Sequence, residues 1–217
     1  MKFRSYLSAL IIFSIIIIDQ VIKVAVKTNM LLFEKIEVTD WFYIFFTENR
    51  GMAFGMDFIA TGILTVFRFL AVGFFVYLLI KQIRKNAPIG FVVCLSMIIA
   101  GAFGNIIDNC FYGLIFSESI PRNLFWEAPA HFVSFGEGYG TFLHGKVVDM
   151  FYFPLFQWPE NWPFVGGKTF FGAVFNFADA AISVGAVVLF TLYYKYVSQQ
   201  LSESKDKDLE ADACETE

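Results

Sequence analysis

Two aspartates carry the chemistry this sequence can offer. Asp149 closes Gly145-Lys146-Val147-Val148-Asp149, and Asp179 closes Asn176-Phe177-Ala178-Asp179 at the head of an apolar helix. A carboxylate beside such a run is costly to place in or against lipid and marks a functional site by default. Two such acids held together cannot both ionise easily, so one pKa rises and the pair shares a proton. The ionised member can then take a proton from water while the protonated member donates to a carbonyl oxygen. That is aspartic hydrolysis of a peptide bond, which needs neither metal nor cofactor.

Other chemistries fit the residues poorly. His131 and His144 are not at i, i+4 spacing, which leaves a zinc site little support. No serine near Lys23 or Lys146 carries a hydrolase signature. No phosphate-binding glycine loop ending in Gly-Lys-Ser/Thr is present. Cys94, Cys110 and Cys214 lack metal spacing and read as packing thiols. The net charge of −4 gives no sign of nucleic-acid binding.

Further polar groups interrupt the apolar stretches. Asp19 and Lys23, at i, i+4, share a helix face; they form either an interfacial ion pair with a snorkelling Lys or a brace for the outer site. Asn105 and Asp108 close Gly101-Ala102-Phe103-Gly104-Asn105-Ile106-Ile107-Asp108, where the small residues permit close helix contact. Asn176 and Asp179 repeat the Asn-x-x-Asp spacing, and a helix beginning there would favour negative charge at Asp179. Arg68, inside another apolar stretch, reads as structural.

These groups must be positioned by membrane helices. The 217 residues are 57% hydrophobic and 17% charged, with a mean hydropathy of +0.61, unlike a soluble domain. Four stretches approach the length needed to span: about 6–26, 59–80, 89–107 and 171–194. The first is too long for a signal-peptide core and lacks a cleavage site, so it is expected to be retained. Lys2, Arg4, Lys81, Arg84, Lys85 and Lys195 fall on one side, which predicts both termini in the cytoplasm. The outer loops are then about 27–58 and 108–170. The aromatic run Trp41 to Thr47 predicts a strand or hairpin at the outer surface, and the long second loop predicts strands and a lid. The sequence divides into one membrane-embedded domain over 1–200 and an acidic, disordered tail over 201–217.

Read in order, the motifs resemble the lipoprotein signal peptidase (signal peptidase II) family of intramembrane aspartic peptidases. The matching pieces are Asp19-Gln20-x-x-Lys23, Asn49-Arg50-Gly51-Met52-Ala53-Phe54-Gly55, Gly104-Asn105-Ile106-Ile107-Asp108, Val147-Val148-Asp149 and Phe175-Asn176-Phe177-Ala178-Asp179. The resemblance implies four transmembrane helices, a small extracytoplasmic sheet cradle and an interfacial helix or lid. It implies that Asp149 and Asp179 are the catalytic pair, supported by Asn49, Gly51, Asn105, Asp108, Asn176, Asp19 and Lys23. It also implies a diacylglyceryl-modified prolipoprotein substrate cut just before the lipidated Cys, with the signal peptide held extended by the strand before Asn49. Globomycin-type inhibitors, membrane lipids as neighbours, a monomeric state and a bacterial inner-membrane location complete the expectation.

Two departures stand out. The family usually has Arg after the third-helix Asp, where this chain has Asn109; Arg122 or Lys146 is the expected replacement. An insertion over about 114–143 precedes Asp149 and is expected to form an interfacial flap. The rival readings are a proton-coupled transporter, which fits badly because no inverted repeat is visible, a non-catalytic membrane chaperone, and an inactive peptidase homologue.

Overall fold

The structure is a computed structural model that describes residues 1–49, 59–122, 128–200 and 202. Helix α1 spans Lys2–Asn29, α2 Ile59–Arg84 and α3 Ile89–Ile107. A π turn, Asp108–Tyr112, and a last turn α4, Gly113–Ile115, extend α3. Helix α5 spans Phe177–Leu192. Among the described residues three helical runs are long and apolar enough to cross a membrane: Lys2–Asn29, Thr65–Arg84 and Ile89–Ile115. A fourth span arises if α5 is joined to Tyr194–Gln200 across a 73° bend.

Helix α3 is central and packs against α1, α2 and α5. Phe3, Tyr6, Leu10, Phe13 and Val21 on α1, and Phe67, Leu70, Phe74 and Tyr77 on α2, stay exposed. Apolar faces of that extent are what a lipid-facing surface requires. Close approach of α3 to α5 rests on glycine: a Cβ at Gly101 would lie 2.2 Å from the Ala178 carbonyl oxygen.

The fourth helix begins later than its hydropathy predicts. Residues 171–175 are apolar, but they hold strand β6 instead of a helical turn, and Asn176 caps α5 by accepting the Asp179 N–H at 2.8 Å. The side chain of an Asn at this position satisfies one of the unpaired amides of the first turn.

Strands β1 (Lys35–Thr39), β2 (Phe42–Asn49), β3 (Val147–Tyr152) and β6 (Val174–Phe175) form one antiparallel sheet in the order β1-β2-β3-β6. A second hairpin, β4 (Phe156–Gln157) with β5 (Thr169–Phe170), lies between β3 and β6 in sequence. Since β1 flanks β2 along Phe42–Phe45 and β3 flanks its other side, the first half of β2 has no edge for an added substrate strand. Alternation along β3 decides what faces what. Val148 and Met150 enter a buried cluster with Val26, Phe46, Tyr112 and Phe116, which turns Asp149 to the other face.

An interfacial helix is not found among the described residues of the 114–143 insertion. Its backbone pairs instead with the end of α3: Val133 N–H with Ile115 O, Tyr139 N–H with Phe116 O and Gly140 N–H with Gly113 O. Those bonds to an existing scaffold replace the ones a separate helix would make. Residues 123–127, with Phe125 and Trp126, lie outside the description, as do Arg50 to Gly55 and nearly all of the tail.

Candidate active site

Asp149, on β3, and Asp179, in the first turn of α5, are joined by two buried amides. Asn176 Nδ2 donates to Asp149 Oδ1 at 2.7 Å, and Asn105 Nδ2 donates to Asp179 Oδ1 at 2.7 Å. The amides also meet each other, Asn176 Nδ2 lying 3.2 Å from Asn105 Oδ1. Their orientations are determined by groups that can only donate. Lys23 Nζ lies 2.9 Å from Asn105 Oδ1, which turns the Asn105 NH2 toward Asp179. The Asp179 N–H occupies Asn176 Oδ1, which turns the Asn176 NH2 toward Asp149.

Lys23 is completely buried, so it does not snorkel. Its ammonium lies 2.9 Å from Asp19 and 2.8 Å from Asp108, a three-membered ion cluster behind Asn105. Asp19 Oδ1 also accepts the Ala178 N–H of α5 at 2.9 Å, and Asp108 Oδ2 accepts the Val148 N–H of β3 at 3.3 Å. The cluster therefore ties α1 and α3 to both elements that carry the aspartates. Gly104 makes room for it, since a Cβ there would lie 2.7 Å from Asp19 Oδ2.

Electrostatics distinguish the two acids. Burial, the Asp179 charge and the Asp108 charge push Asp149 up to about 7, against the Asn176 amide and the Lys23 charge. Asp179 sits where the helix dipole favours an anion. Near neutral pH Asp149 can therefore hold its proton.

Asn49 stands at the exposed end of β2, opposite Val147 in the register. Gly51 lies outside the described residues. Arg122 is exposed, and Lys146 pairs with Glu48 and Glu118, so neither meets Asn109. The cation that does is Arg68 of α2, which donates from Nη1 to Asn109 Oδ1.

Several contacts escape a reading of the sequence. Gln20 Nε2 donates to Asp108 Oδ1 at 2.9 Å, and Tyr112 OH donates to Gln20 Oε1 at 3.2 Å. A second buried ion cluster lies on the opposite face of the sheet. There Lys27 pairs with Glu48, Ser119 Oγ donates to Glu48 Oε1 at 2.7 Å, and Lys146 lies 3.2 Å from Glu48 Oε2. Burial pushes Glu48 up, but Lys27, Lys146 and Ser119 outweigh it and hold the carboxyl below its ordinary value. The i, i+4 repeat Asp19-Lys23-Lys27 was the available signal. Among the described residues no group of three His, Cys, Asp or Glu is arranged to hold a metal.

Residues 11–195 match the family model described as signal peptidase (SPase) II. The lipoprotein signal peptidase of Porphyromonas gingivalis is 46% identical over 202 residues, covering 91% of this chain and 87% of that protein. That of Amoebophilus asiaticus is 32% identical over 184 residues, covering 80% and 72%. Among solved structures, a bacterial membrane enzyme superposes with a TM-score of 0.55 at 23% identity, over 88% of this chain and 90% of the other.

Proposed function

The chain belongs to the signal peptidase II family, and from that premise we propose that Asp149 and Asp179 are the catalytic pair of an aspartic endopeptidase. Its function is the removal of the signal peptide from prolipoproteins. The substrate is a prolipoprotein already carrying diacylglycerol on its Cys, and the cut falls just before that Cys. The observation that carries the reading is the pairing itself: two carboxylates, each held through Oδ1 by a different buried amide, with neither Oδ2 bonded to the protein among the described residues.

The steps balance on these two groups. Asp179 accepts a proton from water as its oxygen attacks the scissile carbonyl carbon, and Asp149 donates its proton to the carbonyl oxygen. The resulting gem-diol collapses when Asp179 passes its proton to the leaving nitrogen and Asp149 recovers its own. The C–N bond breaks, one water is consumed, and the pair returns to its starting charge. Lys23, Asp19 and Asp108 do not touch the reacting atoms; they hold Asn105, Ala178 and Val148, and so the spacing of the pair.

The protein is a multi-pass membrane protein. The finer arrangement has four spans, both termini in the cytoplasm, and the sheet and acid pair near the outer face of a bacterial inner membrane. The lipidated substrate arrives laterally from the bilayer, and the enzyme acts as a monomer. Globomycin-type cyclic peptides block the pair. Purified protein tests the reading with a lipidated prolipoprotein: the expected product begins at the lipidated Cys, and a signal peptide left attached would count against it.

A further inference from the structure

Arg68 is a cation within an apolar helix, and the scheme above makes no use of it. A charge in such a segment is expensive unless it is partnered. Its guanidinium donates to Asn109 Oδ1 and, being unable to accept, fixes which way that amide points. The Asn109 NH2 therefore faces away, donating to Gly145 O at 2.7 Å, while Gly145 N–H returns to Asn109 O at 2.8 Å. Thr65, about one turn earlier on the same face of α2, donates from Oγ1 to Leu143 O at 3.4 Å. The turn clamped in this way, residues 143–145, leads directly into β3 and Asp149. It can be held this tightly only because residue 145 is glycine: a Cβ would lie 2.1 Å from Asp108 O.

The same charge acts on the acids. Its partner Asn109 directly follows Asp108 and is bonded to Gly145 just before the strand of Asp149, so the guanidinium stands as a cation beside the acids Asp108, Asp149 and Asp179. The other groups around the pair are Asp19 and Lys23 from α1, Asn105 and Asp108 from α3 and its extension, and Asn176 before α5. Among these, Lys23 is already shared between two carboxylates. Arg68 is the cation not committed to such a pair among the described residues near the site.

We infer that Arg68 is a positioning residue of the peptidase: through Asn109 it sets the strand that carries Asp149, and from α2 it supplies a positive charge that favours the ionised acid. This rests on the aspartic reading above. The test measures kcat, KM and the pH profile for cleavage of a lipidated prolipoprotein by Arg68→Gln, Arg68→Lys and Asn109→Ala, with Asp149→Asn alongside. Arg68→Gln is expected to lower kcat about 10-fold with KM within about two-fold, and to move the acid limb up by about half a pH unit. The sign follows from charge: without the cation the ionised acid is less favoured and takes its proton at higher pH. Arg68→Lys keeps the charge but loses the planar donor, so the limb should stay while kcat falls several-fold; Asn109→Ala should do the same.

Wild-type kcat in Arg68→Lys and Asn109→Ala would overturn the positioning role, and an unmoved acid limb in Arg68→Gln would overturn the charge role. If Arg68→Gln does not fold, the other two variants still decide positioning. Activity retained by Asp149→Asn would instead defeat the aspartic reading, so the two failures are distinguishable.

Discussion

Asn176 holds both ends of the acid pair at once: its NH2 donates to Asp149 while its carbonyl oxygen accepts the N–H of Asp179. One side chain thus caps α5 and orients a carboxylate on β3. Asn176→Asp would put a further carboxyl group beside the pair in this buried space and remove the donor to Asp149. Cleavage is expected to fall by about two orders of magnitude or more, read as kcat on a lipidated prolipoprotein. Asn176→Ala should also lower the thermal midpoint, because the cap alone contributes about 1 kcal/mol.

Stability should depend on pH through Asp149. Its folded pKa is raised, from 3.8 to about 7, so the folded state holds the proton more tightly than the unfolded chain. Below the unfolded value both states are protonated; as pH rises toward 7 the native state progressively loses stability. Asp149→Asn removes that loss. The variant is expected to unfold at a higher temperature than wild type at pH 8, with the difference shrinking toward pH 4. Thermal unfolding in detergent across that range checks it, and an equal difference at every pH would contradict the assignment.

Helix spacing should matter as much as the acids. The Cβ of Gly101→Ala would meet the Ala178 carbonyl at 2.2 Å, and a backbone atom cannot swing aside. Helices α3 and α5 must separate, pulling Asn105 from Asp179. A stability loss of about 1–3 kcal/mol and a large fall in kcat are expected, whereas Gly73→Ala, inside α2 with no atom near the added methyl, should lower neither.

The second ion cluster can be separated from the first. Lys27→Met leaves buried Glu48 with Lys146 as its one remaining cation among the described residues, and breaking a buried pair in this way costs about 3–5 kcal/mol. Lys27→Met combined with Glu48→Gln should recover part of that loss. Chemical unfolding of the single and double variants reads the coupling, and additive losses would show that the pair is not a unit.

Much of this arrangement is legible in the residues. The apolar stretches locate α1, α2 and α3, and the repeated Asn-x-x-Asp spacing marks Asn105, Asp108, Asn176 and Asp179. The start of α5 is harder to read, because the apolar run before Asn176 suits a strand and a helix equally and hydropathy does not separate them. The cap residue itself was the better signal. The partners of Arg68 and Lys27 are invisible for another reason: Asn109 and Glu48 lie on elements far apart in sequence, and local spacing at best puts Lys27 on a polar helix face without naming what it meets. The insertion before Asp149 shows the same limit. Its composition suggests a flap without revealing that its described residues dock on the end of α3.

Cleavage of a diacylglyceryl-modified prolipoprotein by wild type, Asp149→Asn and Asp179→Asn tests the acid pair most directly. Both substitutions keep the side-chain size and remove the proton chemistry. The expected result is a cut before the lipidated Cys by wild type and none by either variant, with both variants folded. Cleavage that survives either substitution would place the chemistry on other residues.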